Sequence, residues 1–98
     1  MQYNFEWNPE KAKQNIKKHR IRFEDAAGVF KDKNAITIYD TEHDKEEERW
    51  ITMGLAANGS LIIVNHTFKQ IDEVNALIRI ISSRRATKNE ENYYIRKK

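Results

Sequence analysis

Residues 49–64 read RWITMGLAANGSLIIV. Two runs rich in β-branched and aromatic side chains, Arg49–Met53 and Leu61–Val64, flank the dipeptide Asn58-Gly59. Such a pair predicts an antiparallel hairpin closed by a type I′ turn, because that turn needs positive φ at both central residues and Asn-Gly tolerates it best. Working outward, Ile36-Thr37-Ile38-Tyr39 and Leu77-Ile78-Arg79-Ile80-Ile81 have the same character and read as two further strands. Between the third and fourth runs, Lys69–Asn75 reads as a long polar connection.

The flanks of this β-rich stretch are helical. Asn8-Pro9-Glu10 is a helix start: Asn caps free backbone N–H groups, Pro at the first position loses no hydrogen bond, and Glu suits the positive end of the dipole. The spacing predicts a first helix over about 9–19. Phe23, Ala26, Ala27 and Phe30 recur at i, i+3, i+4 and i+7 and predict a second, ending near Lys31-Asp32-Lys33-Asn34. Thr87-Lys88-Asn89-Glu90 is a capping box that opens a last helix through Tyr93 and Tyr94. The expected order is ααββββα: one α+β domain over residues 1–98, two N-terminal helices and a C-terminal helix, with helices on one face of a four-stranded antiparallel sheet.

Ninety-eight residues suffice for one compact domain and leave little room for a second. No run approaches the roughly 20 apolar residues that span a bilayer, and the opening MQYNFEWNPE has no signal-peptide character, so a cytoplasmic protein without membrane contact is expected. The chain has no cysteine, which excludes a disulfide framework, a thiolate zinc site and a cysteine nucleophile. The net charge of +3 hides segregation. Residues 11–22 carry six Lys/Arg and no acid, and residues 79–98 carry seven against two acids, whereas residues 34–78 hold eight acids against three Lys/Arg. If folding brings the two basic ends together they make one positive face, suited to nucleic acid.

Lys11, Asn15 and His19 follow one another at i, i+4 and i+8, a stripe carrying a cation, an amide and an imidazole beside Lys18, while Ala12 and Ile16 form a neighbouring stripe suited to the core. The same stripe also fits a solvated helix face with a C-terminal His cap. Glu48-Arg49 enters the second strand, and Ser83-Arg84-Arg85 is expected where the fourth strand hands over to the last helix. Paired guanidinium groups at a strand end suit a phosphate, each offering two parallel donors; an ion pair with Glu48, or an acidic protein partner, is the other use. The three histidines, with His43 in the acidic stretch and His66 at a strand end, lack any metal-ligand spacing, so no metal and no cofactor is expected. His66 reads as a satisfied strand-end histidine, and both tryptophans read as core.

Taken together, Phe5-Glu6-Trp7-Asn8-Pro9 with Lys11, then Lys18-His19, Phe23-Glu24 with Ala26, Glu48-Arg49, and Ile80-Ile81-Ser82 followed by Arg84-Arg85-Ala86-Thr87 resemble the pattern of the BrnT toxin family, from residue 5 to about 94. The resemblance implies a RelE-like ribonuclease fold and an RNA-cleaving, growth-arresting toxin. It also implies a BrnA-type antitoxin partner whose ribbon-helix-helix region binds operator DNA, the complex repressing its own operon. It carries a functional role onto Lys11, His19, Glu48, Arg49, Arg84 and Arg85; on the charge and spacing of the residues themselves, Arg85, Lys18 and Asn15 are expected as RNA contacts. The chain departs from the pattern at Asn8, where Asp is commoner; at Arg20, where Gly usually follows His; at Ser83, usually Ala; and in the longer Lys69–Asn75 segment. The rival reading from the residues themselves is a non-catalytic basic module that holds nucleic acid or protein and serves as a corepressor partner.

Overall fold

The computed structural model describes residues 1–42 and 47–97, so the reading of His43 lies outside the described residues. The elements run β1 (Gln2–Glu6), α1 (Pro9–His19), α2 (Phe23–Ala26) continuing into a 3₁₀ turn (Ala27–Lys31), β2 (Ile36–Tyr39), β3 (Trp50–Leu55), β4 (Leu61–His66), β5 (Lys69–Gln70), β6 (Asn75–Arg85) and α3 (Lys88–Lys97). The α+β class and the C-terminal helix stand, but the sheet has six strands in the order β1-β6-β4-β3-β2, with β5 on β6, and it is mixed. β1 runs parallel to β6, pairing Phe5 with Ile78 and Glu6 with Arg79, while the other pairings are antiparallel.

Local chemistry explains most elements. Asn8 Oδ1 accepts the N–H groups of Glu10 (2.8 Å) and Lys11 (3.3 Å), capping α1 as its sequence predicts. The capping box forms too: Thr87 N–H donates to Glu90 Oε1 (2.8 Å) and Glu90 N–H to Thr87 Oγ1 (3.2 Å). The hairpin between β3 and β4 forms, with a different turn. Of the turn residues only Gly59 has positive φ (88°), and its N–H closes on the Ala56 carbonyl at 2.9 Å, while Asn58 Oδ1 accepts Ser60 N–H. The connection is thus a longer loop with glycine at the one left-handed position, not a type I′ turn. The second helix is only one α turn, because Ala27 and Gly28 tighten into the 3₁₀ turn where Gly28 meets the hairpin loop. A Cβ there would sit 2.5 Å from the Ala57 nitrogen.

The expectation of helices on one face is also corrected. Ile62 and Val64 of β4 join Phe23, Ala26, Val29, Ile78 and Ile80 in a core beneath α2 and the 3₁₀ turn. Ile63, which alternation sends to the opposite face, joins Met53 and Tyr94 of α3 in a second core. The continuous apolar run Leu61–Val64 is the signature of a strand covered on both sides. β6 likewise extends through Arg84 and Arg85, which pair with Ile63 and Ile62, so the arginines lie within the strand and not beyond it. Of the two tryptophans, Trp7 packs edge-on against Phe23 (5.9 Å) at the core margin, whereas Trp50 is half-buried and stacks edge-on with Tyr39 (5.0 Å). On α1, Ala12 packs against the core but Ile16 is 42% exposed, contrary to the stripe reading. Among the described residues no helix is long and apolar enough to cross a membrane.

α1 ends at Arg20, whose φ of 60° places a non-glycine residue in the left-handed region. This conformation costs about 1–2 kcal/mol for an L-residue, against the roughly 0.5–1 kcal/mol of extra chain entropy a glycine loses on folding. Arg20→Gly is therefore expected to stabilise the domain by about 0.5–1 kcal/mol, which thermal unfolding would show as a rise of several degrees. An unchanged or lower Tm would mean that the Arg20 side chain contributes compensating contacts.

Candidate functional site

α1 lies along β6 because Asn15, only 5% exposed, is used up within the protein. Its Nδ2 donates to the Ile21 carbonyl (3.1 Å) and Ser83 Oγ (2.9 Å), and its Oδ1 accepts Ser83 N–H (3.0 Å). The stripe residue expected to meet RNA is therefore the clasp that docks the helix, and Ser83 supplies the hydroxyl. Docking gathers Lys11, Gln14, Lys18 and His19 around a shallow cleft whose floor is Ile81 and Ser82 of β6. Lys11 and Lys18 are exposed and His19 half-buried. The basic N-terminal segment and the basic last strand thus lie side by side, as the charge pattern requires for a single positive face.

On the face of the sheet that carries α3, the helix packs over Met53 and Ile63, and among the described residues the far end of the strands, where Arg49 and Arg79 lie, stays partly exposed. Alternation brings Asn65 and Ser82 to this face, joined by a hydrogen bond of 2.9 Å, and places Arg79 there, opposite Ile78 and Ile80. Glu47 ties Arg79 to Arg49: its Oε2 accepts Arg79 Nη2 and its Oε1 accepts Arg49 Nε at 3.4 Å. All three side chains stay partly exposed, 41% for Arg79, 29% for Arg49 and 34% for Glu47. Glu48 is exposed beside them, so the carboxylate that organises the arginines is the residue before the one singled out from the sequence.

Arg84 faces α3 and makes a two-pronged pair with Glu90, Nη1 to Oε1 at 2.9 Å and Nη2 to Oε2 at 3.0 Å. The Arg84 hydrogen bonds, aided by the Thr87 N–H, hold the Glu90 carboxyl down at about 2. Arg84 is thereby fastened to the last helix, while Arg85 is exposed at the end of β6. His66 is buried and satisfied as expected of a strand-end histidine: Nδ1 contacts the Thr67 carbonyl at 2.9 Å and Nε2 contacts Thr52 Oγ1 at 2.7 Å. Burial lowers its pKa below the ordinary histidine value.

Lys11, Lys18 and His19 are brought together by the structure; Arg49 joins a separate cluster on the neighbouring face, and Ser82 is shared by the two environments. Arg79 and Glu47 were not singled out from the sequence. A charge set within the apolar run Leu77–Ile81 is the signal that marks Arg79, since an arginine in a paired central strand must find water or a partner on one face.

The fold and these placements define a small mixed-sheet α+β domain whose positive groups collect along α1 and across one open end of the sheet. The family model for BrnT, the ribonuclease toxin of a type II toxin–antitoxin system, matches residues 7–90, and the chain belongs to that family. The crystal structure of the Brucella abortus ribonuclease toxin BrnT has a similar fold, with a TM-score of 0.59 at 23% sequence identity, covering 90% of this chain and 100% of that one. No curated protein sequence matches the chain. Membership of a type II system makes an antitoxin protein the expected partner, and ribonuclease toxin is the family's description.

Proposed function

We propose that this toxin is a metal-independent endoribonuclease whose cleavage site is the open sheet end between the arginine pair and the α1 cleft. The observation that carries the reading is the pair Arg49 and Arg79, held by one carboxylate on an exposed face of a ribonuclease-family domain. Guanidinium groups so placed grip the two non-bridging oxygens of a phosphodiester and neutralise the charge that grows on them in the transition state. Lys11 and Arg84 add positive potential, Lys18 and Arg85 hold flanking phosphates, and Asn15 keeps α1 in place.

In this reaction a base removes the proton from the ribose 2′-OH, and the 2′ oxygen attacks phosphorus in line. The P–O5′ bond breaks and an acid protonates the departing O5′, leaving a 2′,3′-cyclic phosphate and a 5′-hydroxyl end. His19 and Glu48 are the two groups assigned to move these protons. Free toxin arrests growth in the cytoplasm. Its guard is a BrnA-type antitoxin that covers the positive face, and two toxins and two antitoxins assemble through the antitoxin's ribbon-helix-helix dimer, which binds operator DNA.

Purified toxin incubated with RNA in a metal chelator is expected to cut it, leaving cyclic phosphate ends, and to stop when the antitoxin is added. Loss of cleavage in the chelator would overturn metal independence. Intact RNA under every condition, with the protein folded, would overturn the enzyme reading in favour of the corepressor module.

A further inference from the structure

On the opposite face of the sheet from the arginine pair, at the same end, a pocket of about 290 Å³ is lined by Tyr3, Phe30, Thr37, Trp50, His66, Phe68 and Ile78. Four of these are aromatic and come from separate parts of the chain. Tyr3 meets Phe30 and Phe68 edge-on at 6.1 and 6.4 Å, and Phe30 meets the His66 ring at 4.9 Å. Tyr3 and Phe68 remain 39% and 40% exposed, so the pocket opens to solvent with ring surface at its mouth. The core does not require this opening, since half-exposed aromatic rings around a concavity forfeit part of their burial.

The pocket's polar wall has a defined direction. The Thr67 carbonyl can only accept, so His66 Nδ1 carries the proton and, in the neutral imidazole, Nε2 must accept. Thr52 then spends its only hydroxyl proton on Nε2 (2.7 Å), and Thr37, at 2.9 Å, must donate to Thr52. The exposed Thr37 oxygen is left offering lone pairs, and no proton, to whatever occupies the pocket. The buried imidazole thus sets the hydrogen-bonding sense of a surface hydroxyl two steps away.

The pocket is also joined to the arginine cluster through the chain itself. Trp50 and Ile78 line it, and their neighbours Arg49 and Arg79, sent to the other face by strand alternation, form the candidate phosphate grip. The pocket and the arginine pair are thus one residue apart along the chain at both places.

We infer that this pocket is a nucleobase subsite that stacks a purine among Tyr3, Trp50 and Phe68 and accepts a hydrogen bond from its amino group at Thr37, which favours adenine over a purine without an amino group. Every base has a π face, but a purine offers the larger one, and the 6-amino group is adenine's only donor on its pairing edge. The subsite rests on the ribonuclease reading for its biological use and not for its test, because binding is measured without cleavage.

The experiment follows Trp fluorescence and amide chemical shifts while the intact toxin is titrated with adenosine monophosphate, with the purine ribonucleotide lacking the 6-amino group, and with uridine monophosphate. Adenosine monophosphate is expected to bind most tightly and to move the signals of Trp50, Thr37 and Phe68. Phe68→Ala, at an exposed position, should weaken it about tenfold. Thr37→Val should erase the preference over the analogue lacking the 6-amino group while leaving stacking intact. Equal affinity for all three nucleotides, shifts confined to the α1 cleft and arginine cluster, or a folded Phe68→Ala variant that binds like the parent would overturn the subsite. Specific binding without any RNA cleavage would uphold the subsite and fell the enzyme reading, so the two fail separately.

Discussion

Phe23→Ala is expected to cost about 3–5 kcal/mol, the range for deleting a buried aromatic ring and leaving a cavity behind. Phe23 is fully buried, packs in the core with Ile62, Ile78 and Ile80, and takes the edge of Trp7 at 5.9 Å. α2 packs against β6 and is tied to the hairpin loop by the Ala57 N–H, which donates to the Asp25 carbonyl at 3.1 Å. A domain of this size has total stability toward the lower end of about 5–15 kcal/mol, so the variant should retain a small fraction of it. Thermal unfolding followed by circular dichroism should show Tm lower by roughly 15–30 °C. A fall of less than about 5 °C would mean that the core collapses around the missing ring and that Phe23 is not its centre.

Arg79→Ala should lower RNA cleavage by about 10²–10³-fold, the usual consequence of removing one preorganised donor to a developing anionic charge. Stability should change little, since the side chain is 41% exposed and its ion pair with Glu47 lies at the surface. Arg79→Lys is expected to restore only part of the rate, because an ammonium cannot present two parallel donors to a phosphate. Single-turnover cleavage of a short RNA, with circular dichroism to confirm folding, makes the comparison. A folded Arg79→Ala variant cutting at the parental rate would remove the arginine pair from the chemistry and return the site to the α1 cleft alone.

The elements that sequence reading placed well are those whose causes are local. α1 and α3 carry their own caps within four residues, and the hairpin partners lie next to each other in the chain. The family pattern could likewise be read from motifs at fixed order. β1 escaped notice because Gln2–Glu6 is short, mostly exposed and stabilised by parallel pairing with residues more than seventy positions away. Asn15 and Ser83 are 68 positions apart, and their mutual hydrogen bonds turned a presumed RNA contact into a helix clasp.

The composition of the site divides in the same way. Residue type and spacing were enough to name Lys11, His19, Glu48, Arg49, Arg84 and Arg85 as candidates, because charge and titratability are properties of single side chains. Which of them share a surface was settled by strand register. One step of alternation puts Arg79 on the open face and Ile78 in the aromatic pocket, and one residue along the incoming loop makes Glu47, not Glu48, the partner of both arginines. Periodicity tells a sequence which residues share a face of one element, but only the folding of distant strands against each other decides what that face meets.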